Sequence, residues 1–418
     1  MKKFAPVFAA ILTALSSQAA FAQAQAQDNT TPWYVGVSGG LTHLSNVYRA
    51  ASGTSQADRS NSDIVATGSL LGGLDQRFGR QHLTADGSIS GNRYQHNRNL
   101  DNIGYSGRAG LDWYTVENIS GNVTVGGSRQ LSNNNVGYGY VPQYEKNVVT
   151  DNYASFVAHK GVVTEWTLDV GADYQRRKYS NDYYRPLDYS QHDVWIGPSW
   201  RPSDKLRLGV DYRLTNGEIP YYTRDLLTGQ TTANSFKRHD VDFTGTWVMS
   251  GASTLDWRLS RGNSKHQNSA GEDSSHTTGQ VSWIWRPTGK LAFTTQFVHD
   301  TGLQTSFLSV LGYSYSSYAQ DQVVNTLRVS STYQYSGKLS FGANASYSPS
   351  SLRTTPSGGT TPTVYDFRDY SLNLSAGWQY SRGISMSCQA GRQWRTGPAA
   401  LYPYTANSIG CSGQILFY

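Results

Sequence analysis

Apolar and polar residues alternate with a period of two along most of the chain. Between Trp166 and Tyr174, the residues Trp, Leu, Val, Ala and Tyr alternate with Thr, Asp, Gly and Asp. The same alternation is found in residues 206–214 and 370–380. Because successive side chains of a β-strand point to opposite faces, each segment predicts a strand with one apolar and one polar face. A helical period fits none of these segments.

Residues that favour turns recur between the predicted strands. Tight turns are predicted at residues 78–80, 116–118, 202–205, 250–252, 287–290, 336–338 and 381–383, and the spacing requires another at 162–165. Longer, polar and Tyr-rich segments alternate with the turns, at residues 133–151, 223–237, 267–275, 303–319, 350–363 and 396–404. The chain is therefore predicted to be a series of hairpins with short turns on one side and long loops on the other.

Eight tight turns, with both chain ends on the same side, give nine hairpins and about 18 strands, with 16 as the alternative count. The predicted fold is all-β: a single antiparallel, up-and-down transmembrane barrel over residues 33–418, with short periplasmic turns and long extracellular loops. The C-terminus ends in Leu416-Phe417-Tyr418, and outer-membrane barrels commonly end on an aromatic residue. The weakest strand predictions are residues 152–159 and 188–200, the latter because it contains Pro198.

Composition is compatible with this fold class. The chain has 42 Gly, 29 Tyr and 11 Trp but only 3 Met, and its mean hydropathy is −0.51. A barrel averages polar because lipid-facing and lumen-facing residues alternate. Beyond the N-terminal region, no run approaches the roughly 18 apolar residues that a transmembrane helix requires. The formal net charge of +6 is too small to identify a partner.

The N-terminus has the pattern of a secretory signal peptide. Lys2 and Lys3 precede an apolar stretch at residues 4–15, and Ala20-Phe21-Ala22 forms a small-residue cleavage site. We expect cleavage after residue 22, or alternatively after 24 or 26, which leaves residues 23–32 as a short periplasmic segment. Together with the barrel pattern, this predicts the outer membrane of a Gram-negative bacterium.

The two cysteines, Cys388 and Cys411, are equally distant from the middle of the predicted loop at 396–404. They would therefore lie opposite each other on neighbouring strands, on the face that carries apolar residues. Opposed residues of an antiparallel pair are close enough for a disulfide, and exported chains meet an oxidising compartment. The sequence predicts a disulfide; the alternative is two small apolar residues facing lipid.

No catalytic motif occurs in the chain in the structural context that it requires. Residues 36–40 read Gly-Val-Ser-Gly-Gly and match Gly-x-Ser-x-Gly, but they lie within a predicted strand and not at a turn between a strand and a helix. His-Glu-x-x-His and phosphate-binding Gly-Lys-Ser/Thr patterns are missing, and the nine His residues are scattered. The Gly-rich segments 36–40 and 68–73 lie within predicted strands with no helix following, unlike a nucleotide-binding loop. The sequence predicts a protein that is not an enzyme, with no cofactor, no metal site and no nucleic-acid partner.

The polar faces of the strands predict the lining of the lumen. The charged residues assigned to it by strand parity are Asp86, Arg108, Asp112, Asp169, Asp173, Arg177, Asp211, Arg213, Asp240, Asp242, Asp256, Arg258 and Arg328. Mixed charges of this kind form ladders that hold a barrel wall together. Alternatively, they form a selective pathway that exchanges hydrogen bonds with a passing sugar chain.

Tyrosines near the strand tops and in the loops predict contact with a glycan, because an aromatic face stacks on a sugar ring. The candidates are Tyr138, Tyr140, Tyr144, Tyr183, Tyr184, Tyr221, Tyr222, Tyr313, Tyr315, Tyr402 and Tyr404. The alternative is an interfacial aromatic girdle and loop packing. Basic residues nearby, Arg176, Arg177, Lys178, Arg185 and Arg224, favour an anionic polymer, although such residues also form solvated rims.

Three segments resemble a known family: TPWYVGVSGGLTHLSNVYR at 31–49, SLLGGLDQRFGR at 69–80 and FKRHDVDFTGTW at 236–247. They resemble the EpsL-type outer-membrane proteins, β-barrel porins linked to exopolysaccharide biosynthesis loci that also carry an exosortase. The NVYR stretch at 46–49 is the most specific part. The resemblance implies a role in secreting or assembling an extracellular polysaccharide.

Three functions are compatible with the sequence: a polysaccharide export conduit or glycan-binding pore, a general or sugar-selective diffusion porin, and a closed barrel that anchors a secretion assembly or the polymer. The expected partners are an extracellular polysaccharide, with an anionic chain as one alternative, outer-membrane lipid and lipopolysaccharide, the barrel-assembly machinery and other polysaccharide-secretion proteins.

Overall fold

Eighteen antiparallel strands form a closed barrel. The computed structural model describes residues 31–51, 60–116, 118–132, 144–161, 164–224, 230–267, 274–303, 306–307, 317–355, 363–399 and 402–418. Each barrel strand pairs with its neighbour in sequence, and the first pairs with the last. The predicted signal peptide lies outside the described residues.

The first half of the sheet contains β1 (Trp33–Leu44), β2 (Asp63–Phe78), β3 (Gln81–Tyr94), β4 (Asn102–Tyr114), β5 (Ile119–Leu131), β6 (Val148–Lys160), β7 (Trp166–Tyr179), β8 (Tyr189–Ser203) and β9 (Leu206–Arg224). The second half contains β10 (Thr231–Ser250), β11 (Ser253–His266), β12 (Ser274–Trp285), β13 (Leu291–Leu303), β15 (Ser317–Gln334), β16 (Leu339–Thr355), β17 (Thr363–Ser381), β18 (Ile384–Thr396) and β19 (Thr405–Phe417). A two-residue strand, β14 (Ser306–Phe307), pairs with β15 outside the barrel ladder. Two short 3₁₀ helices, Arg98–Leu100 and Asp182–Leu187, lie in connections at the long-loop end.

The predicted strand count of 18 is confirmed, and the alternative of 16 is excluded. All eight predicted tight turns connect consecutive strands at one end of the barrel, where β1 begins and β19 ends. The longer connections lie at the opposite end, here called the outer end. Among the described residues, no helix is long and apolar enough to cross a membrane.

Several strands extend farther toward the outer end than the sequence predicted. The predicted loop at 223–237 is reduced to 225–230, and β16 continues to Thr355 within the predicted loop at 350–363. Backbone hydrogen bonds between strands do not depend on side-chain polarity, so the ladder continues through polar, Tyr-rich sequence that was assigned to loops. Polarity therefore marks the outer end of the barrel rather than the end of its strands.

The strand that contains Pro198 forms as predicted, with an interruption at the proline. Pro198 pairs with Leu168 of β7, but on the β9 side the register passes from Ile196 to Ser199 without it. Proline has no backbone N–H to donate to the ladder. The local gap is therefore the consequence expected for a proline inside a sheet.

The outer face of the barrel is an apolar belt bordered by aromatic residues. Near the short-turn end, the exposed side chains include Trp33, Trp166, Trp200, Trp247, Trp283, Trp285 and Trp378. Nearer the outer end they include Tyr105, Tyr174, Tyr212 and Tyr347. A continuous apolar surface of this extent is unfavourable in water and is rare on soluble proteins. Girdles of aromatic residues mark the two membrane interfaces of outer-membrane barrels. The chain is an outer-membrane β-barrel.

The predicted disulfide is confirmed. Cys388 and Cys411 are directly opposed in the β18–β19 register, and a disulfide bond joins them. Both lie on the outer face, in line with Ile384, Ile409 and Ile415. The bond therefore crosslinks the last hairpin from its lipid-facing side.

Candidate functional site

The candidate site is the interior of the barrel, because its inward face carries most of the polar side chains. Strand alternation places inward every charged residue that the sequence assigned to the lumen: Asp86, Arg108, Asp112, Asp169, Asp173, Arg177, Asp211, Arg213, Asp240, Asp242, Asp256, Arg258 and Arg328. Two unlike surfaces lie on opposite sides of the interior, with further polar residues between them. We call the inward face of β6–β11 the charged wall.

One part of the charged wall is centred on Asp169 of β7, which is only 6% exposed. Its carboxylate lies 2.5 Å from His159 Nδ1 on β6 and 2.5 Å from an Arg207 nitrogen on β9. Arg207 also donates to Ser199 Oγ at 3.0 Å. A buried carboxylate requires such partners. This network links β6, β7, β8 and β9 across the wall.

A second part lies higher on β9 and β10, where Asp240 and Asp242 are each 2% exposed. Asp242 forms an ion pair with Arg213. Asp240 lies 2.7 Å from His276 Nε2 on β12 and 3.7 Å from Arg238 Nε. Asp242 is held by an arginine of the neighbouring strand, and Asp240 is held by a histidine of β12 and an arginine of its own strand.

Other carboxylates of the wall are also hydrogen-bonded. Arg177 makes a bidentate contact with Asp151, at 2.7 and 3.2 Å. Thr246 donates to Asp256 at 2.7 Å, and Thr244 donates to Asp211 at 3.4 Å. Asp173 is directly opposite Asp193 in the β7–β8 register, and Arg258 is opposite Thr244 and Gln280. Long polar side chains therefore cover the interior on this side, and several of them are hydrogen-bonded to one another.

The remaining charged candidates lie outside this wall. Asp86 faces Arg108 across β3 and β4. Asp112 accepts a 2.6 Å hydrogen bond from Asn122 on β5. Arg328 of β15 faces Gln296 and Ser346 on its two sides, both uncharged. These residues are separate from the networks of β6–β11.

The opposite side of the interior is uncharged, a feature that the sequence reasoning missed. From β16 through β19 to β1 and β2, the described inward residues carry no charge between the Asp369–Arg395 pair at the outer end and Asp75 near the turns. We call this surface the neutral wall. Its hydrogen-bonding side chains are Ser340, Asn344, Ser346, Ser371, Asn373, Ser375, Gln379, Ser385, Ser387, Gln389, Gln393, Ser408, Ser412, Gln414, Ser38, Thr42, Thr67 and Ser69. One signal was available: β19 contains no charged residue.

Because many residues of the neutral wall are small, its side chains project only a short distance into the lumen. Glycines stand beside the serines of neighbouring strands, and a Cβ at Gly391 would lie 2.7 Å from Ser408 Oγ. A Cβ at Gly342 would lie 2.6 Å from Ser375 Oγ. The serines therefore lean over adjacent glycines, a close approach that only glycine permits. The small side chains of the neutral wall therefore occupy less of the lumen than the long side chains of the charged wall.

Hydroxyl pairs cross the neutral wall between strands. The Ser346 and Ser371 Oγ atoms are 2.7 Å apart, and the Ser387 and Ser412 Oγ atoms are 3.0 Å apart. A hydroxyl has one donor and two acceptor positions. Each pair uses only part of this capacity, so the wall retains groups that bond a polar solute.

Residues 46–50, here called the mouth segment, fold inward at the outer end of the neutral wall. Tyr48 is 0% exposed and donates to Asn97 Oδ1 at 2.9 Å. Asn46 donates to the Thr405 carbonyl at 3.0 Å, and Arg49 donates to Gln393 Oε1 at 3.3 Å. The segment that is most specific for the family resemblance therefore narrows the outer mouth.

The predicted glycan-stacking tyrosines do not form one surface. Tyr138, Tyr140, Tyr313 and Tyr315 lie outside the described residues. Tyr184 is 0% exposed and meets the Tyr183 ring edge-on at 5.1 Å, and Tyr222 is 8% exposed. Buried rings have no free face for a sugar.

Tyr144, Tyr183, Tyr221, Tyr402 and Tyr404 are partly exposed. The Tyr144 ring packs 5.0 Å from that of Tyr48, and the Arg185 guanidinium lies 5.5 Å from the Tyr221 ring. Burial raises the pKa of the Tyr404 hydroxyl. For these five, glycan contact stays a prediction.

The basic residues that suggested an anionic polymer are also dispersed. Arg176 and Lys178 point outward, whereas Arg177 points inward into its ion pair. Arg185 pairs with a carboxylate of its own loop. The Arg224 side chain lies outside the described residues. Within the described part of the chain, no group of three or more His, Cys, Asp or Glu is arranged to hold a metal ion.

No protein-family model matches the chain, and no curated protein matches it. Among solved structures, it is similar to the FrpB iron transporter (F5-1 variant) from Neisseria meningitidis, with 9% identity, a TM-score of 0.43, and coverage of 95% of this chain and 84% of that one. It is also similar to the outer membrane protein opdK from Pseudomonas aeruginosa, with 11% identity, a TM-score of 0.43, and coverage of 92% of this chain and 99% of that one. A third similar structure is OccAB3 from Acinetobacter baumannii, with 12% identity, a TM-score of 0.42, and coverage of 92% of this chain and 99% of that one.

Proposed function

We propose that this barrel is a passive outer-membrane conduit for uncharged glycan and serves the export or assembly of an extracellular polysaccharide. The observation that supports this most is the neutral wall. Its hydroxyls and amides run from the short-turn end to the mouth segment, and they offer the donor and acceptor groups that sugar hydroxyls bond. The family resemblance of residues 31–49, 69–80 and 236–247 favours the polymer as the solute.

The dispersal of the basic residues favours an uncharged rather than an anionic chain. An anionic polymer requires cations along its path, and three arginines of the charged wall, Arg177, Arg207 and Arg213, are engaged with Asp151, Asp169 and Asp242. A neutral polymer requires only hydrogen-bonding groups that exchange one sugar for the next. Weak, repeated sites of this kind permit movement along the wall.

A sugar-selective diffusion porin is the second candidate. The mouth segment folds inward at the outer end, where Tyr48 and Arg49 narrow the opening. A narrowed mouth favours small solutes over a polymer. The chemistry of the neutral wall is the same for both candidates, so solute size distinguishes them.

The test uses two neighbouring positions of β19 with opposite orientation. Ser412→Tyr fills the neutral wall, whereas Gly413→Tyr adds the same ring to the lipid-facing surface, where the nearest atom to a new Cβ is 3.9 Å away. In planar bilayers, neutral glucose oligomers should reduce the ion current of the wild type and of the Gly413→Tyr variant. They should reduce that of Ser412→Tyr much less. Equal block in all three proteins would contradict the proposed path.

Deletion of the gene in its native host separates the two candidates. For a polysaccharide conduit, the secreted polymer should decrease while growth on small sugars is unchanged. The reverse result would favour the diffusion porin. Restoring secretion with the Gly413→Tyr variant but not with Ser412→Tyr would link the phenotype to the neutral wall.

A further inference from the structure

Three basic side chains lie together on the lipid-facing surface near the outer end of the barrel. Lys237 belongs to β10, and Arg261 and Lys265 belong to β11; all three are exposed. They point to the same side as Val241 and Leu259, which are 52% and 49% exposed and belong to the apolar belt. We call these three residues the outer basic cluster.

The cluster contains two like charges in direct opposition. Lys237 faces Lys265 in the β10–β11 register, and directly opposed like charges destabilise a sheet. Among the described residues, neither lysine nor Arg261 forms an ion pair. The outward carboxylate of the adjacent strand, Glu218, faces Ser235 instead. An anion placed between the lysines would remove this repulsion.

The surroundings supply further hydrogen-bond donors at fixed positions. The Arg261 guanidinium donates to Thr277 Oγ1 at 2.6 Å and weakly to Ser275 Oγ at 3.4 Å, which holds it against β12. Asn263 lies between Arg261 and Lys265 on the same face. Ammonium, guanidinium and amide groups side by side are the donors that phosphate oxygens accept.

The height of the cluster indicates where its anion lies. The Tyr212 hydroxyl, part of the outer aromatic girdle, is 2.8 Å from His239 Nδ1. Lys237 is two residues beyond His239, or about 7 Å farther along the strand. The girdle marks the membrane interface. The cluster therefore lies at the level of the lipid headgroups and not in the lumen or in bulk solvent.

From this placement we propose that the outer basic cluster binds phosphate groups of the anionic lipid of the outer leaflet, the phosphorylated lipid A part of lipopolysaccharide. The same level carries basic residues elsewhere around the barrel. Arg129 stands opposite Tyr105, and Arg176 is two residues beyond Tyr174. The cluster on β10 and β11 differs from these positions because it presents three cations from two adjacent strands to one headgroup. This site is independent of the function proposed for the lumen.

The test compares two triple variants of the full chain. Lys237→Gln, Arg261→Gln and Lys265→Gln remove the cluster; Lys205→Gln, Lys290→Gln and Lys338→Gln remove the same charge from the short-turn end. The heat-dependent shift in gel mobility shows that each protein is folded. Native mass spectrometry then measures retention of diphosphorylated lipid A added to the protein in detergent.

The cluster variant should retain lipid A on the order of 100-fold less tightly than the wild type, since each of the three basic residues near an anionic surface adds about a factor of five. The control variant should match the wild type. Equal retention by both variants would overturn the proposal. Equal retention of lipid A without phosphates would do the same, as would full competition by millimolar inorganic phosphate, which would assign the cluster to a free anion.

Discussion

The two walls of the interior are both polar, but their polar groups are of different kinds and make different contacts. The charged wall fills its space with arginine and aspartate side chains that pair across strands, as Arg207 does with Asp169. The neutral wall covers itself with serine, asparagine and glutamine over glycine, as Ser408 does beside Gly391. Paired buried charges cannot leave their partners without a large loss of energy. Hydroxyls lose little when they exchange one partner for another. The charged residues therefore stabilise the barrel, and the path that we propose lies along the uncharged residues of the neutral wall.

The largest expected effect tests this division directly. Asp242→Ala leaves Arg213 buried without its partner, and removal of one member of a buried ion pair costs about 3 to 5 kcal/mol. Ser412→Ala on the neutral wall should change the free energy of unfolding by about 0.5 kcal/mol or less. Urea titration of the protein folded into phospholipid vesicles, followed by tryptophan fluorescence, measures both. Similar losses would mean that the walls do not differ in structural importance.

The disulfide gives the next effect, and it lies on the back of the neutral wall. This wall has few ion pairs to stabilise it, and the Cys388–Cys411 bond closes a separation of 23 residues. A loop of that size contributes about 3 kcal/mol in chain-entropy terms. Replacing both cysteines with alanine should lower the free energy of unfolding by that amount.

The matched control for the disulfide is the double variant Ser387→Ala and Ser412→Ala. These residues are neighbours of the cysteines on the same two strands but face the lumen, where their hydroxyls are 3.0 Å apart. We expect at most about 1 kcal/mol from this pair. If replacing the two serines lowers the free energy of unfolding as much as replacing the two cysteines, the disulfide does not stabilise this hairpin beyond its hydrogen bonds.

Much of the architecture could be predicted from the sequence because it depends on local rules. Alternation in segments such as 166–174 and 206–214 sets the face of every residue, since the strand period is two. Turn residues such as those at 202–205 set the hairpins and hence the strand count. The parity that placed Cys388 and Cys411 on one face also follows from the period.

Partner choice within the lumen depends on distant strands and could not be predicted in this way. Asp240 bonds His276 across two strand boundaries, 36 residues away in sequence, and no local pattern indicates which of several basic side chains it meets. The inward folding of Tyr48 depends on Asn97 in another loop. The absence of charge from β19 is a local signal of the neutral wall, but uncharged serines and glycines occur in many strands and do not by themselves mark a site.

The smallest expected effect is a difference between the outer ends of the two walls in how their local stability depends on pH. Asp188 follows the 3₁₀ helix at the top of β7, is 5% exposed, and accepts a hydrogen bond from the Tyr179 amide at 2.7 Å. Burial raises its pKa from 3.8 to about 6, against the opposing effect of the Tyr179 hydrogen bond. At the neutral wall, the Ser45 amide donates to the Asn407 carbonyl at 2.9 Å, a backbone bond without a titrating acceptor.

The direction of the pH effect follows from the raised pKa. Between about pH 6 and pH 4 the folded state binds a proton at Asp188 that the unfolded segment does not, so stability increases as the pH falls. The expected gain is roughly 1 kcal/mol from pH 6 to pH 5. Hydrogen exchange of the Tyr179 amide, corrected for the intrinsic pH dependence, should show this extra protection. The Ser45 amide should not show it, and Asp188→Asn should abolish it at Tyr179. Protection that falls with pH at Tyr179 would mean that the ionised carboxylate stabilises this loop, and that the desolvation of Asp188 does not control its titration.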